Sequence, residues 1–136
     1  DLTPNIETYN DPADAAYLPL YCQANGFEGY LHWSWMNWTD QPLQDSRFQL
    51  FPAGDTYLIY PGPRSSVRWE RFIEGVQQVE KYRILREECQ REGNADGVKK
   101  LDDALRSFQS GQPNYHNTTA QSVNYFECLL NEMSAK

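Results

Sequence analysis

The run Gly29-Tyr30-Leu31-His32-Trp33-Ser34-Trp35-Met36-Asn37-Trp38 carries three tryptophans and a tyrosine and no charge. In an extended chain, successive side chains point to opposite faces. Leu31, Trp33 and Trp35 then share one face, and Tyr30, His32, Ser34 and Met36 the other. With neither face charged, the pattern predicts a strand over Phe27 to Met36, buried in a covered sheet. Thr56 to Tyr60 reads as a second short strand, ended by Pro61-Gly62-Pro63. Residues 37–55 lie between them, with Pro42, Pro52 and Gly54 and no helical period. A loop of that length without periodicity is usually functional or disordered, and its aromatic content favours function. It is also long enough for a crossover, so the two strands are expected to be parallel neighbours.

On either side of this region the chain reads as helix. Upstream, Asn10-Asp11-Pro12 opens one: Asn10 or Asp11 can cap it, and Pro12 suits the first helical position. It extends to about Ala24, where Asn25-Gly26 ends it, and Pro19 predicts a kink or an early stop inside it. Downstream, Ser65 or Ser66 caps the longest helix, which runs to about Glu92. Val67, Phe72, Ile73, Val76, Val79 and Leu85 repeat along it with a helical period, and Gly93 closes it. A further helix covers about Ala95 to Phe108, with Val98, Leu101, Leu105 and Phe108 on one side. Gly111, Pro113 and Asn114 break the chain. A last helix covers about Thr119 to Met133, with Val123, Phe126, Leu129 and Leu130 apolar. The order helix, strand, loop, strand, helix, helix, helix predicts an α/β chain. Two short parallel strands followed by three helices would be the C-terminal βα units of a (β/α)8-type barrel. A small α+β domain, or a mostly helical one carrying a hairpin, competes with that reading. Residues 1–136 are taken as one partial domain, with 95–136 as a helical tail.

Composition narrows the function. The 136 residues carry 12 Lys and Arg against 19 Asp and Glu, a formal net charge of -7. That balance disfavours nucleic acid, whose phosphates call for a basic patch. No apolar run approaches the roughly 20 residues of a membrane-spanning helix. The chain begins at Asp1 without an initiator Met or a signal peptide, which reads as a processed or excised piece. Cys22, Cys89 and Cys128 are too few and too widely spaced for a disulfide framework, and read as small apolar groups. His32 and His116 are far apart and no Cys-x-x-Cys occurs, so no metal site and no cofactor is expected. Neither a phosphate-binding glycine loop nor a nucleophile elbow is present.

The candidate site is therefore aromatic. A tryptophan face matches the apolar C–H face of a pyranose, so Trp33, Trp35 and Trp38 are candidate sugar-stacking residues, with core packing as the alternative for each. Asn37 can exchange hydrogen bonds with sugar hydroxyls, or simply turn the chain. Tyr60 and Arg64 flank the turn before the longest helix. A cation gains nothing from a helix N-terminus, so Arg64 points to a partner carboxylate or a substrate group. Asp45 and Arg47 can pair with each other, and Asp55 reads as a structural hydrogen-bonding residue. Asn37-Trp38-Thr39 and Asn117-Thr118-Thr119 match the N-glycosylation pattern, which is common by chance.

Taken in order, Gly29 to Trp38, Pro42-Leu-Gln-Asp45, Pro52-Ala-Gly-Asp-Thr56, Tyr60-Pro-Gly, Arg64-Ser-Ser, Arg68-Trp-Glu-Arg71 and Gly75 to Tyr82 resemble the C-terminal part of the family 123 glycoside hydrolase catalytic domain. The resemblance spans about residues 4–90. It implies a (β/α)8-type barrel and hydrolysis of β-linked N-acetylgalactosamine by a retaining, substrate-assisted route. In that route the 2-acetamido oxygen is the nucleophile, an Asp orients it, and an adjacent Glu is the general acid/base. No Asp-Glu sequence occurs in this chain. The resemblance thus implies a substrate-lining piece made by Trp33, Trp35, Asn37, Trp38, Tyr60 and Arg64, with no catalytic residue of its own. A glycan and the N-terminal remainder of the barrel would be its partners, the isolated chain would self-associate, and a periplasmic or extracellular location is favoured. A self-contained carbohydrate-binding or interaction module built on the same tryptophans is the other reading.

Overall fold

The computed structural model describes residues 4–113 and 117–135. Asn114 and His116 lie outside the described residues. Four helices form the frame: α1 Pro12–Ala24, α2 Val67–Arg91, α3 Ala95–Arg106 and α4 Thr119–Ser134. Each begins at a side chain that accepts a backbone N–H otherwise left without a partner. Asp11 accepts from Ala13, Ser66 from Trp69, Asn94 from Gly97, and Thr118 forms a reciprocal capping box with Gln121. Past the end of α2, Gly93 turns the chain at φ +71°, a conformation that favours glycine.

α1 is the centre of the molecule. Ala13 and every residue from Ala15 to Leu20 is buried, so it is enclosed on all sides rather than amphipathic. Ala16, Tyr17 and Leu20 join Tyr82, Leu85 and Cys89 of α2, Leu101 and Leu105 of α3, Phe108, and Val123, Phe126 and Leu130 of α4 in one core. Ala15 and Leu18 meet Ile6 and Leu58 in a second, smaller core, against which Tyr30, Trp35 and Phe72 pack. The helix runs through Pro19 to Ala24 without the early stop that a proline invites. In α2 the buried positions are Arg68, Gly75, Gln78, Tyr82, Leu85 and Cys89, whereas Val67 and Val76 are exposed. The expected apolar face is therefore rotated: Gly75 lies where α1 passes, and a Cβ there would sit 2.3 Å from the Ala16 carbonyl oxygen.

The two expected parallel strands are absent from the described residues, and with them the reading as closing βα units of a (β/α)8-type barrel. Residues 25–66 form a long irregular segment containing three isolated bridges, all antiparallel: Met36 with Tyr57, Phe48 with Phe51, and Tyr60 with Arg64. Nor is residues 27–36 a buried strand, since Leu31, Trp33 and Met36 are exposed. The physical reason lies in the carbonyls of residues 54–59. Arg68 donates to those of Gly54 and Tyr57, and His32 contacts that of Asp55. Ser34 and the Asn37 backbone donate to that of Thr56, Ser66 to that of Leu58, and Trp38 to that of Ile59. Side chains thus take most of the acceptors that a neighbouring strand would have used.

Candidate functional site

The irregular segment is seated by one buried arginine. Arg68, at the start of α2, is 8% exposed, and its guanidinium donates to the carbonyls of Ile6 (2.7 Å), Gly54 (2.8 Å) and Tyr57 (2.8 Å). Five fixed donors let one side chain bind three carbonyls and tie residues 54–57 to the segment before α1. Gly54 makes the approach feasible: it stands at φ +84°, and a Cβ there would lie 2.5 Å from Thr8 Cγ2 and 2.8 Å from Arg68 Nη1.

The expected site residues fall into three local settings. Trp35 is half-buried, edge-on to Trp69 (5.1 Å between ring centroids) and packed on Phe72 and His32, so it is mainly an internal support. Trp33 is 54% exposed. Its Nε1–H donates to Asp55 Oδ2 at 2.8 Å, and Phe51 stacks on its ring at 4.9 Å. Trp38 is also exposed, with Nε1–H donating to the Ile59 carbonyl at 2.8 Å. Asn37 is exposed; its backbone N–H donates to Thr56. Tyr60 and Arg64 close one turn through two backbone hydrogen bonds of 2.9 and 3.2 Å. Together they line an open cleft of about 460 Å³ with Thr8, Asn10, Leu43 and Ser65. Among the described residues, Arg64 has no ion-pair partner.

Behind Trp33 lies a polar cluster that the sequence did not single out as a site. His32 is buried, with Nε2 2.6 Å from the Asp55 carbonyl oxygen and Nδ1 3.3 Å from Tyr30 Oη. Contact with a carbonyl requires Nε2 to carry the proton, so in the neutral ring Nδ1 accepts from the Tyr30 hydroxyl. Burial, with Cys22 and then Asp55 and Glu7 adding to it, pushes the Tyr30 hydroxyl up to about 12, which keeps it a donor. Glu7 is buried beside them. Burial raises its carboxyl above the ordinary 4.5 and Asp55 adds to the rise, while hydrogen bonding from its own backbone and from Asn5 opposes it. Glu7 Oε2 is buried without a hydrogen-bond partner among the described residues. Asp45 is a different case: Arg47 grips it through Nε and Nη2, which holds its carboxyl down at about 2. That pair is exposed and satisfies itself. The contacts of Asp55 agree with its reading as a hydrogen-bonding residue; the part played by His32 had no signal beyond its place in the aromatic run.

Among the described residues no group of three His, Cys, Asp or Glu side chains is placed to hold a metal ion. The larger cleft, about 560 Å³ between α1, α2 and α3, has Arg86 and Arg106 on its walls. Asp102 accepts from Arg86 and Tyr82, and Asp103 from Arg106, so both of these arginines are already paired.

The model of the glycoside hydrolase 123 catalytic domain matches residues 1–85. No curated protein matches the chain. Among solved structures it resembles a family 123 glycoside hydrolase from Clostridium perfringens, described for its hydrolysis of glycolipid glycans. The TM-score is 0.73 at 22% identity, over 96% of this chain and 25% of that one. The chain therefore spans about a quarter of the length of that enzyme, and at this identity the likeness is one of fold. With well over half of its residues matched by the family model, the chain belongs to the glycoside hydrolase 123 catalytic-domain family.

Proposed function

We propose that this chain is the part of a family 123 catalytic domain that lines the sugar site, for β-linked N-acetylgalactosamine, and that it supplies no acid/base pair. The observation that carries this reading is the state of the two exposed indoles. Trp33 and Trp38 both have their N–H groups satisfied by the protein, by Asp55 and by the Ile59 carbonyl. What they turn outward is apolar ring surface, which suits the C–H face of a pyranose better than a hydrogen-bonding ligand. Trp35 backs the wall from inside, and Asn37, Tyr60 and Arg64 offer polar groups along the same segment. In the substrate-assisted scheme that the family resemblance implies, the acetamido group attacks the anomeric carbon, a carboxylate orients it, and a neighbouring Glu protonates the leaving oxygen. The adjacent Asp-Glu pair for those roles does not occur in this sequence. It would come from the rest of the catalytic domain, which is the proposed partner.

The test compares Trp33→Ala, Trp38→Ala and Trp35→Ala within a protein that contains the whole catalytic domain, using a chromogenic β-N-acetylgalactosaminide. Loss of either exposed tryptophan should raise KM with little change in melting temperature. Trp35→Ala should lower the melting temperature as well. Unchanged KM in both Trp33→Ala and Trp38→Ala would contradict the reading.

A further inference from the structure

We infer that Asp55 is a positioning residue for Trp33: it fixes the plane of the indole so that one face stays open to a sugar ring. The inference rests on the reading of Trp33 as part of a sugar wall, and gives that wall a specific device. Two contacts determine the indole's placement. Phe51 covers one face, with centroids 4.9 Å apart and planes 29° apart, and Asp55 Oδ2 accepts the indole N–H at 2.8 Å. Stacking alone leaves a ring free to spin in its plane and slide; the hydrogen bond at the edge removes that freedom. With Phe51 on one face Trp33 remains 54% exposed, and the other face is the one we assign to the sugar ring.

Both contacts are themselves held. Phe51 sits at the end of a tight turn, Phe48-Gln49-Leu50-Phe51, closed by a backbone hydrogen bond of 3.1 Å with Gln49 at φ +53°. Such a φ is uncommon for a residue other than glycine and needs surrounding contacts to maintain it. Asp55 is fixed from behind, where His32 Nε2–H meets its carbonyl oxygen at 2.6 Å and Tyr30 meets His32. Its neighbour Gly54 is held by Arg68. A relay from Tyr30 through His32 and Asp55 to Trp33 therefore crosses the segment from the inner core to the exposed ring. The histidine fixes the Asp55 backbone and leaves the carboxylate free to hold the indole edge.

The indole N–H signals in a proton–nitrogen correlation spectrum of the full chain read this directly, with N-acetylgalactosamine as the titrant. In Asp55→Ala the Trp33 indole signal should move upfield, its proton should exchange with water at least about tenfold faster, and sugar affinity should fall about five- to tenfold. Asp55→Asn keeps an amide oxygen as acceptor and should restore affinity to within about twofold of the wild type. Trp33→Phe keeps an aromatic face without the N–H donor and should lose affinity as Asp55→Ala does, and combining the two should cost little more. This second route holds even if Asp55→Ala fails to fold. Affinity unchanged in Asp55→Ala and Trp33→Phe overturns the inference while leaving the sugar wall standing. A wild-type chain whose indole signals do not respond to the sugar overturns both.

Discussion

Arg68 and Glu7 are both buried beside the irregular segment, and they make opposite predictions. Arg68 gives its charge to three carbonyls, so shortening it leaves several buried acceptors without donors. Arg68→Met should cost about 2–4 kcal/mol in chemical denaturation. Arg68→Lys should recover only part of that, because an ammonium cannot span the same fork. Stability equal to wild type in both variants would show that the segment is held by other contacts. Glu7 works against folding at neutral pH. Its folded carboxyl titrates above the ordinary 4.5, so the folded state holds the proton more tightly than the unfolded chain. Its contribution is therefore most favourable below pH 4.5 and is lost as pH rises through the raised folded value. Glu7→Gln should remove that decline, so the variant should lose less stability than wild type between about pH 4 and pH 7. Parallel stability curves for the two proteins would contradict this. The sequence gives little access to either residue's role. An arginine and a glutamate near helix starts read as ordinary surface charges until the fold brings Ile6, Gly54 and Tyr57 around one guanidinium.

Helices were the legible elements. Asp11, Ser66 and Gly93 mark real boundaries, and the faces of α3 and α4 follow the apolar period, with Leu101 and Leu105, and with Val123, Phe126 and Leu130, buried. The strands were not legible, because alternation records only which side chains are large and apolar, not where the carbonyls go. In residues 54–59 those carbonyls are met by Arg68, His32, Ser34, Ser66 and Trp38, a choice settled by long-range contacts. The α2 face was misplaced for a related reason. It passes close against α1 at Gly75, a residue with no hydrophobic signal. Gly75→Ala adds good helix propensity but drives a methyl into the Ala16 carbonyl, so it should destabilise the protein by about 2–3 kcal/mol. A thermal melt equal to or higher than that of wild type would mean that α1 and α2 can part at little cost.

Across the whole molecule, burial and exposure are unevenly divided. The four helices enclose a continuous core, while residues 27–67 expose Leu31, Trp33, Met36, Trp38, Leu43, Leu50, Phe51 and Val67. Leu31 is 90% and Leu50 101% exposed. Apart from the tryptophans that face the sugar, Leu31, Met36, Leu43, Leu50 and Val67 call for cover on a chain that spans a quarter of its structural relative, and we propose the rest of the catalytic domain as the cover of that surface. An isolated copy should self-associate through it, and light scattering should show mass rising with concentration; a monomer at all concentrations would count against this. The central claim, a sugar wall without its own acid/base pair, is tested most directly by ligand-observed proton NMR of a β-N-acetylgalactosaminide mixed with the isolated chain. Saturation transfer to the ring C–H protons of the sugar is expected, with an anomeric signal that does not change with time. Absence of transfer, or the appearance of free N-acetylgalactosamine, would contradict the claim.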